Sequence, residues 1–204
     1  MAEWEDYLIK DTKVLKNKLG ITDGDELKQM EFEITVSKIA QLYFMGITGN
    51  FDEKHLCEIH KFIFEDIYDF AGKYREVDMR QVTQFTPYKE IPSKLHELFN
   101  ELKNTELNSY SKFETAKNIA KFYSGLIDIH PFREGNGRSI REFIRQLVLA
   151  KLPQYELDFR RINKDNFYQG AIDRFQYSNL IAYEFYNALV EKEIVTENQN
   201  QSHM

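Results

Sequence analysis

HPFREGNGRSIR, residues 130–141, decides how the rest of the chain is read. Helical spacing leads into it and helical spacing leaves it. Upstream, Phe113, Ala116, Ile119, Ala120, Tyr123 and Ile127 share one face behind a capping box made by Ser111 and Glu114. Downstream, Ile140, Phe143, Ile144, Leu147 and Val148 again recur with the helical period. Between them Pro131 discourages the first helix from continuing. Gly135 and Gly137 permit backbone angles other residues resist, and Asn136 tolerates the left-handed region.

A loop of this kind at a helix N-terminus turns several amide groups toward one point, and the helix dipole adds partial positive charge there. Such a concavity suits phosphate. Arg138 and Arg141 lie on one side of the second helix, and guanidinium groups match phosphate oxygens. Glu134 is a lone carboxylate just before the glycines. Beside several phosphates that is a setting for Mg²⁺, which takes few protein ligands. His130 titrates near neutrality and suits removal of a proton from a hydroxyl. Phe132 is expected to point into the core. Each residue alone has a bland reading as a turn, a solvated charge or a structural histidine. Their order and spacing together favour phosphate-linked group transfer, by a solution other than the GxxxxGK[ST] loop, which the chain lacks.

Composition agrees with a folded helical domain. Aromatic residues make up 14% of the 204 residues, against 4 Pro and 9 Gly. A net charge of −6 argues against a broad nucleic-acid or acidic-membrane surface. No apolar run is long enough for a membrane helix, and MAEWEDYLIK lacks a signal pattern. The single cysteine, Cys57, excludes an internal disulfide and fits a reducing compartment. No pair among His55, His60 and His96 has metal-ligand spacing, and these three read as structural or exposed.

The expected fold is all-α, one domain over residues 21–192, with an arm at 1–20 and a disordered tail at 193–204. Asp25 is expected to cap a helix that buries Phe32, Val36, Ile39 and Tyr43 and stops at Gly46. Asp52 caps the next, with Leu56, Ile59, Ile63, Ile67 and Phe70 on one face before Gly72. Leu95, Leu98, Phe99 and Leu102 mark a further helix, and two more are expected near 164–174 and 178–192. Residues 74–90 alternate, and Pro87 prevents a helix there, so a short extended pair is expected.

The stretch 130–141 resembles the signature of the Fic family, HxFx[DE]GNGRxxR, at every specified position. FEDIYDFAGKYRE (64–76) is similar to the segment leading into that family's flap, and LKNKLGI (15–21) to the entry of its bacterial toxin branch. The resemblance implies a helical bundle with a β-hairpin flap, and transfer of AMP from ATP to a Ser, Thr or Tyr hydroxyl of a protein target. It implies His130 as base, Glu134 as Mg²⁺ ligand, and the backbone of Gly135, Asn136 and Gly137 as phosphate cradle. Arg138 would take the β-phosphate and Arg141 the γ-phosphate. Val77, Met79, Phe85, Thr86 and Pro87 would belong to the flap that pins the target by strand addition. Gly137 stands where the related Doc kinases carry lysine, which favours nucleotide transfer over phosphorylation.

Many Fic proteins carry an inhibitory motif, [ST]xxxE[GN]. Here Thr22/Glu26 and Ser93/Glu97 have the spacing, but leucine follows each glutamate. The implied inhibitor is a separate small antitoxin supplying the glutamate. The implied location is the cytoplasm, with delivery into a host cell open. The competing readings are a catalytically quiet nucleotide-binding module and transfer of another phosphate-linked group.

Overall fold

The computed structural model describes residues 3–80, 84–172 and 178–192. The tail expected at 193–204 and residues 81–83 of the flap lie outside the described residues. Helix α1 (Gly24–Met45) starts at Asp23, whose carboxylate accepts from the amides of Asp25 and Glu26 at 2.9 Å. The cap is therefore two residues earlier than expected. Of the expected apolar face only Ile39 packs against the core; Phe32, Val36 and Tyr43 are 62, 49 and 63% exposed. The inward residues are Leu27, Thr35 and Leu42, because part of what α1 packs against is charged.

Helix α2 (Glu53–Phe64) is capped by Asp52 as expected and buries Leu56, Ile59, His60, Ile63 and Phe64. It ends before Ile67, which is buried from the turn that follows. Helix α3 (Ile91–Lys103) buries Ile91, Leu95 and Phe99. Helix α4 (Lys112–Ile129) starts at Ser111, whose hydroxyl accepts from Glu114 N, and helix α5 (Asn136–Lys151) buries Ile140, Phe143, Ile144, Leu147 and Val148. Phe143 meets Phe51, His55, Phe99 and Phe122 at ring separations of 5.6–6.0 Å, the spacing of edge-on aromatic packing.

Strand β1 (Tyr155–Leu157) was not expected; its buried, exposed, buried alternation is that of a half-covered strand. Helices α6 (Lys164–Ile172) and α7 (Ser178–Ala188) follow. The last helix stops at Ala188, short of the expected 192, because β2 (Leu189–Glu191) pairs antiparallel with β1, Tyr155 opposite Glu191 and Leu157 opposite Leu189. Helix α4 packs chiefly on α7, while α5 packs on α2, α4 and β1. Among the described residues no helix is long and apolar enough to cross a membrane.

The arm folds onto the domain. Leu8 pairs with Leu15, Lys18 N donates to Ile67 O at 2.8 Å, and the Tyr7 hydroxyl accepts from Glu76 N at 3.1 Å.

His60 joins α2 to what lies on both sides of it. The ring is fully buried between Phe64 and Phe132, 4.8 and 3.8 Å away. Nδ1 accepts from Gly72 N at 2.8 Å, so Nε2 carries the proton and donates to Glu134 O at 2.9 Å. A second proton would point at the Gly72 N–H. Burial accordingly holds its pKa down at about 4.

A histidine neutral in the fold and protonated when unfolded contributes stability that is present above pH 6.5 and lost as pH falls toward about 4, on the order of 3 kcal/mol. Gln can keep both hydrogen bonds without titrating. His60→Gln is expected to flatten the fall in urea-unfolding stability across that window by about one proton. An unchanged slope would contradict this account.

Candidate active site

Helix α4 ends on His130, which adopts the left-handed conformation (φ 48°, ψ 61°) while its amide still donates to Leu126 O. This turns the imidazole out of the helix and sends the chain into Pro131. Asn136 then closes the loop: its Oδ1 accepts from Phe132 N at 2.8 Å and its Nδ2 donates to Phe132 O at 2.7 Å. Asn136 is buried and the Phe132 ring is fully buried, as expected for the latter. The side chain of Asn136 is thus structural. Its backbone begins α5, where the first amides have no acceptor within the helix.

Gly135 has φ +79°, and a Cβ there would lie 2.1 Å from the Phe64 ring. Both facts require glycine. Gly135 N donates to Glu134 Oε1 at 2.9 Å, which fixes that carboxylate over the start of α5. At Gly137 a Cβ would come 3.1 Å from Arg141 Nη1, so the glycine leaves Arg141 its place. Arg141 also lies against the buried Tyr123 hydroxyl, whose pKa burial pushes up to about 12. Arg138 and Arg141 both line a groove of about 600 Å³, together with Tyr43, Glu142 and Arg145. The arrangement holds the Glu134 carboxylate beside Arg138 at the N-terminus of α5, with Arg141 one turn on.

Two buried arginines that hold this loop in place were not singled out in the sequence reading. Arg75, 2% exposed, donates from Nε to His130 O at 2.8 Å, from Nη1 to Val77 O at 2.7 Å, and from Nη2 to Thr86 O at 2.5 Å and Ile129 O at 3.2 Å. One buried guanidinium therefore ties the end of α4 to both legs of the flap. Arg133, 6% exposed, stacks its guanidinium 3.8 Å from the Trp4 ring, so the arm braces the loop from outside. The only signal in the sequence was an arginine in each place with no role to fill.

In the flap, Arg80 and Gln84 form an isolated antiparallel bridge and Phe85 N donates to Met79 O at 3.1 Å. Val77 and Phe85 face inward, Thr86 and Met79 are half-buried, and Pro87 is exposed. Thr86 N donates to Asp128 O at 3.1 Å, joining the flap to α4. The Phe85 ring lies parallel to that of His130, 3.8 Å away. The His130 pKa is down at about 4, first because of burial, then because of the Arg75 charge; the Ile127 carbonyl, near the buried Nδ1, opposes both. The imidazole is neutral, the form a base requires, across the physiological range.

Comparison with known proteins gives one family. The Fic/DOC family model matches residues 50–148. Protein adenylyltransferase VbhT of Bartonella schoenbuchensis is 33% identical over 171 residues, 83% of this chain and 35% of VbhT, so the chain spans about a third of that relative. The probable protein adenylyltransferase Fic of Salmonella typhimurium is 32% identical over 145 residues, 70% of this chain and 72% of that one. BepC of Bartonella tribocorum, solved with bound AMPPNP, superposes with a TM-score of 0.83 at 28% identity, covering 93% of this chain and 98% of that one. An N-terminal Fic domain from Bartonella quintana, solved with ADP, gives 0.85 at 26%, covering 93% and 96%.

Uncovering the His130 ring relieves the penalty on its charged form. Phe85→Ala is expected to move the imidazole pKa from about 4 upward toward 6.5, read by NMR titration; an unmoved value would mean the flap does not set it. Asn136→Ala strands the Phe132 amide and carbonyl, and chemical denaturation is expected to register a loss of roughly 2–5 kcal/mol.

Proposed function

The chain belongs to the Fic/DOC family, and we propose that it is a protein adenylyltransferase, moving AMP from ATP to a Ser, Thr or Tyr hydroxyl of a protein target. The observation that carries this is the groove at the start of α5 lined by Arg138 and Arg141, with the Glu134 carboxylate 3.4 Å from Arg138 and His130 at the end of α4 opening the same loop. The nucleotides bound to the BepC and Bartonella quintana domains support it.

In this reading ATP lies with its phosphates against the opening amides of α5. Arg138 takes the β-phosphate and Arg141 the γ-phosphate. His130 accepts the hydroxyl proton through Nε2, since Nδ1 is buried against the loop. The hydroxyl oxygen bonds to the α-phosphorus as its bond to the bridging oxygen breaks, and pyrophosphate leaves. The flap and Arg75 keep the imidazole unprotonated and so able to accept, although a pKa of about 4 makes it a weaker base than the near-neutral histidine expected from the sequence.

Glu134 fits Mg²⁺ in one respect that can be checked. Its carboxylate is partly exposed and oriented by Gly135 N–H and by Arg138 at 3.4 Å. Among the described residues no three acidic, histidine or cysteine side chains converge. The set suits an ion whose remaining ligands are phosphate and water oxygens. Bound there, Mg²⁺ would offset negative charge on the phosphates.

The flap is proposed to receive the target as an added strand on its exposed edge. A separate small antitoxin supplying a glutamate to Arg141 is proposed as the inhibitor. Ser93 is engaged with Glu90 O and Glu97 with Lys94, so that motif-like pair is a surface feature of α3. The site of action is proposed as cytoplasmic. The likeness to BepC, a VirB-translocated effector, supports delivery into a host cell as a further route.

Labelled ATP with Mg²⁺ and a lysate tests the reading, with mass spectrometry distinguishing AMP from other groups. His130→Ala is expected to lower labelling on the order of 100-fold or more, and Arg141→Ala to weaken use of the triphosphate. Equal labelling by His130→Ala would remove the base. A purified chain that is silent until one of its own helices is deleted would remove the separate inhibitor.

A further inference from the structure

The polar face of α1 points into the site. Glu31 places Oε1 2.5 Å from Arg138 Nη2, and Thr35, one turn on, accepts from Arg138 Nη1 at 3.2 Å. The second oxygen of Glu31 accepts from the Tyr68 hydroxyl. Tyr68 is 1% exposed and stacks on Phe70 with ring centroids 4.6 Å apart, so it has little freedom to move. The Arg138 guanidinium also lies 4.7 Å from the centre of the Phe64 ring. A long side chain at the edge of a groove would ordinarily sample many rotamers. This one is held by a carboxylate, a hydroxyl and an aromatic face, and the carboxylate is itself held by a buried phenol.

We propose that Glu31, fixed by Tyr68 and helped by Thr35, is a positioning residue that orients Arg138 for the β-phosphate of the bound nucleotide. This rests on the reading of Arg138 given above. An arginine has five N–H donors. One on Nη1 goes to Thr35, and the two on Nη2 are taken by Glu31 and, at 3.4 Å, by Glu134. Two donors remain for phosphate, on a group whose orientation is already set. The ordering cost that would otherwise fall at binding is met when the chain folds.

AMP and ADP differ by the phosphate Arg138 would contact, so their affinities separate positioning from general damage. For Glu31→Ala, calorimetry is expected to show ADP binding weakened about tenfold, the equivalent of ~1.4 kcal/mol, with AMP binding unchanged. Tyr68→Phe should weaken ADP in the same direction by less, and Glu31→Gln, which keeps a hydrogen-bond acceptor, should recover part of the loss. Equal weakening of AMP and ADP would reduce Glu31 to a structural role. Tighter ADP binding would make it a competitor of phosphate. Either result overturns the proposal, as would a wild-type chain that binds neither nucleotide. If Glu31→Ala does not fold, Tyr68→Phe and Glu31→Gln decide by the same comparison. Because only binding is read, a chain that binds ADP and transfers nothing would sink the proposed activity and leave this inference standing.

Discussion

The double hydrogen bond between the Asn136 side chain and the backbone of Phe132 closes a turn that would otherwise be a flexible link between two helices. Everything in the site takes its place from that closure. It drives the Phe132 ring into the core against His60, and His60 in turn holds the Glu134 carbonyl and the Gly72 amide. Gly135 completes the bend with a backbone angle and a clearance from Phe64 that a side chain would deny. A buried amide with both ends satisfied is rigid because an unpaired alternative would be costly.

The electrostatics of the His130 imidazole come from outside the loop. Arg75 carries a positive charge beneath His130 while its donors hold the carbonyls of His130, Ile129, Val77 and Thr86. Phe85 covers the ring from the flap. Burial and a nearby cation both disfavour imidazolium, so the two effects add. The same contacts join the flap to the loop between α4 and α5, so a change in the position of one is felt by the other.

Helix α1 shows how hydrophobic periodicity can mislead. Phe32, Val36 and Tyr43 fit an apolar stripe, and all three are exposed. The face that packs inward mixes Leu27, Ile39 and Leu42 with Glu31 and Thr35, since part of what lies beneath is Arg138. Periodicity finds a helix reliably because spacing follows from backbone geometry. It assigns the buried face only when the partner surface is apolar. Where the partner is a guanidinium, the side chains that meet it are polar and the pattern is silent there.

The sequence by itself determined the helix–loop–helix around 130–141, the caps at Asp52 and Ser111, the need for glycine at 135 and the inward face of α5. These follow from local chemistry: capping oxygens, backbone angles and helical spacing act among residues close together in the chain. Tertiary structure alone decided that Arg75, Phe85, Trp4 and Glu31 belong with that loop, and that 155–157 would pair with 189–191. Each of these contacts joins residues distant in sequence, and no rule of neighbouring residues fixes which buried charge or ring will meet which until the core has brought them together.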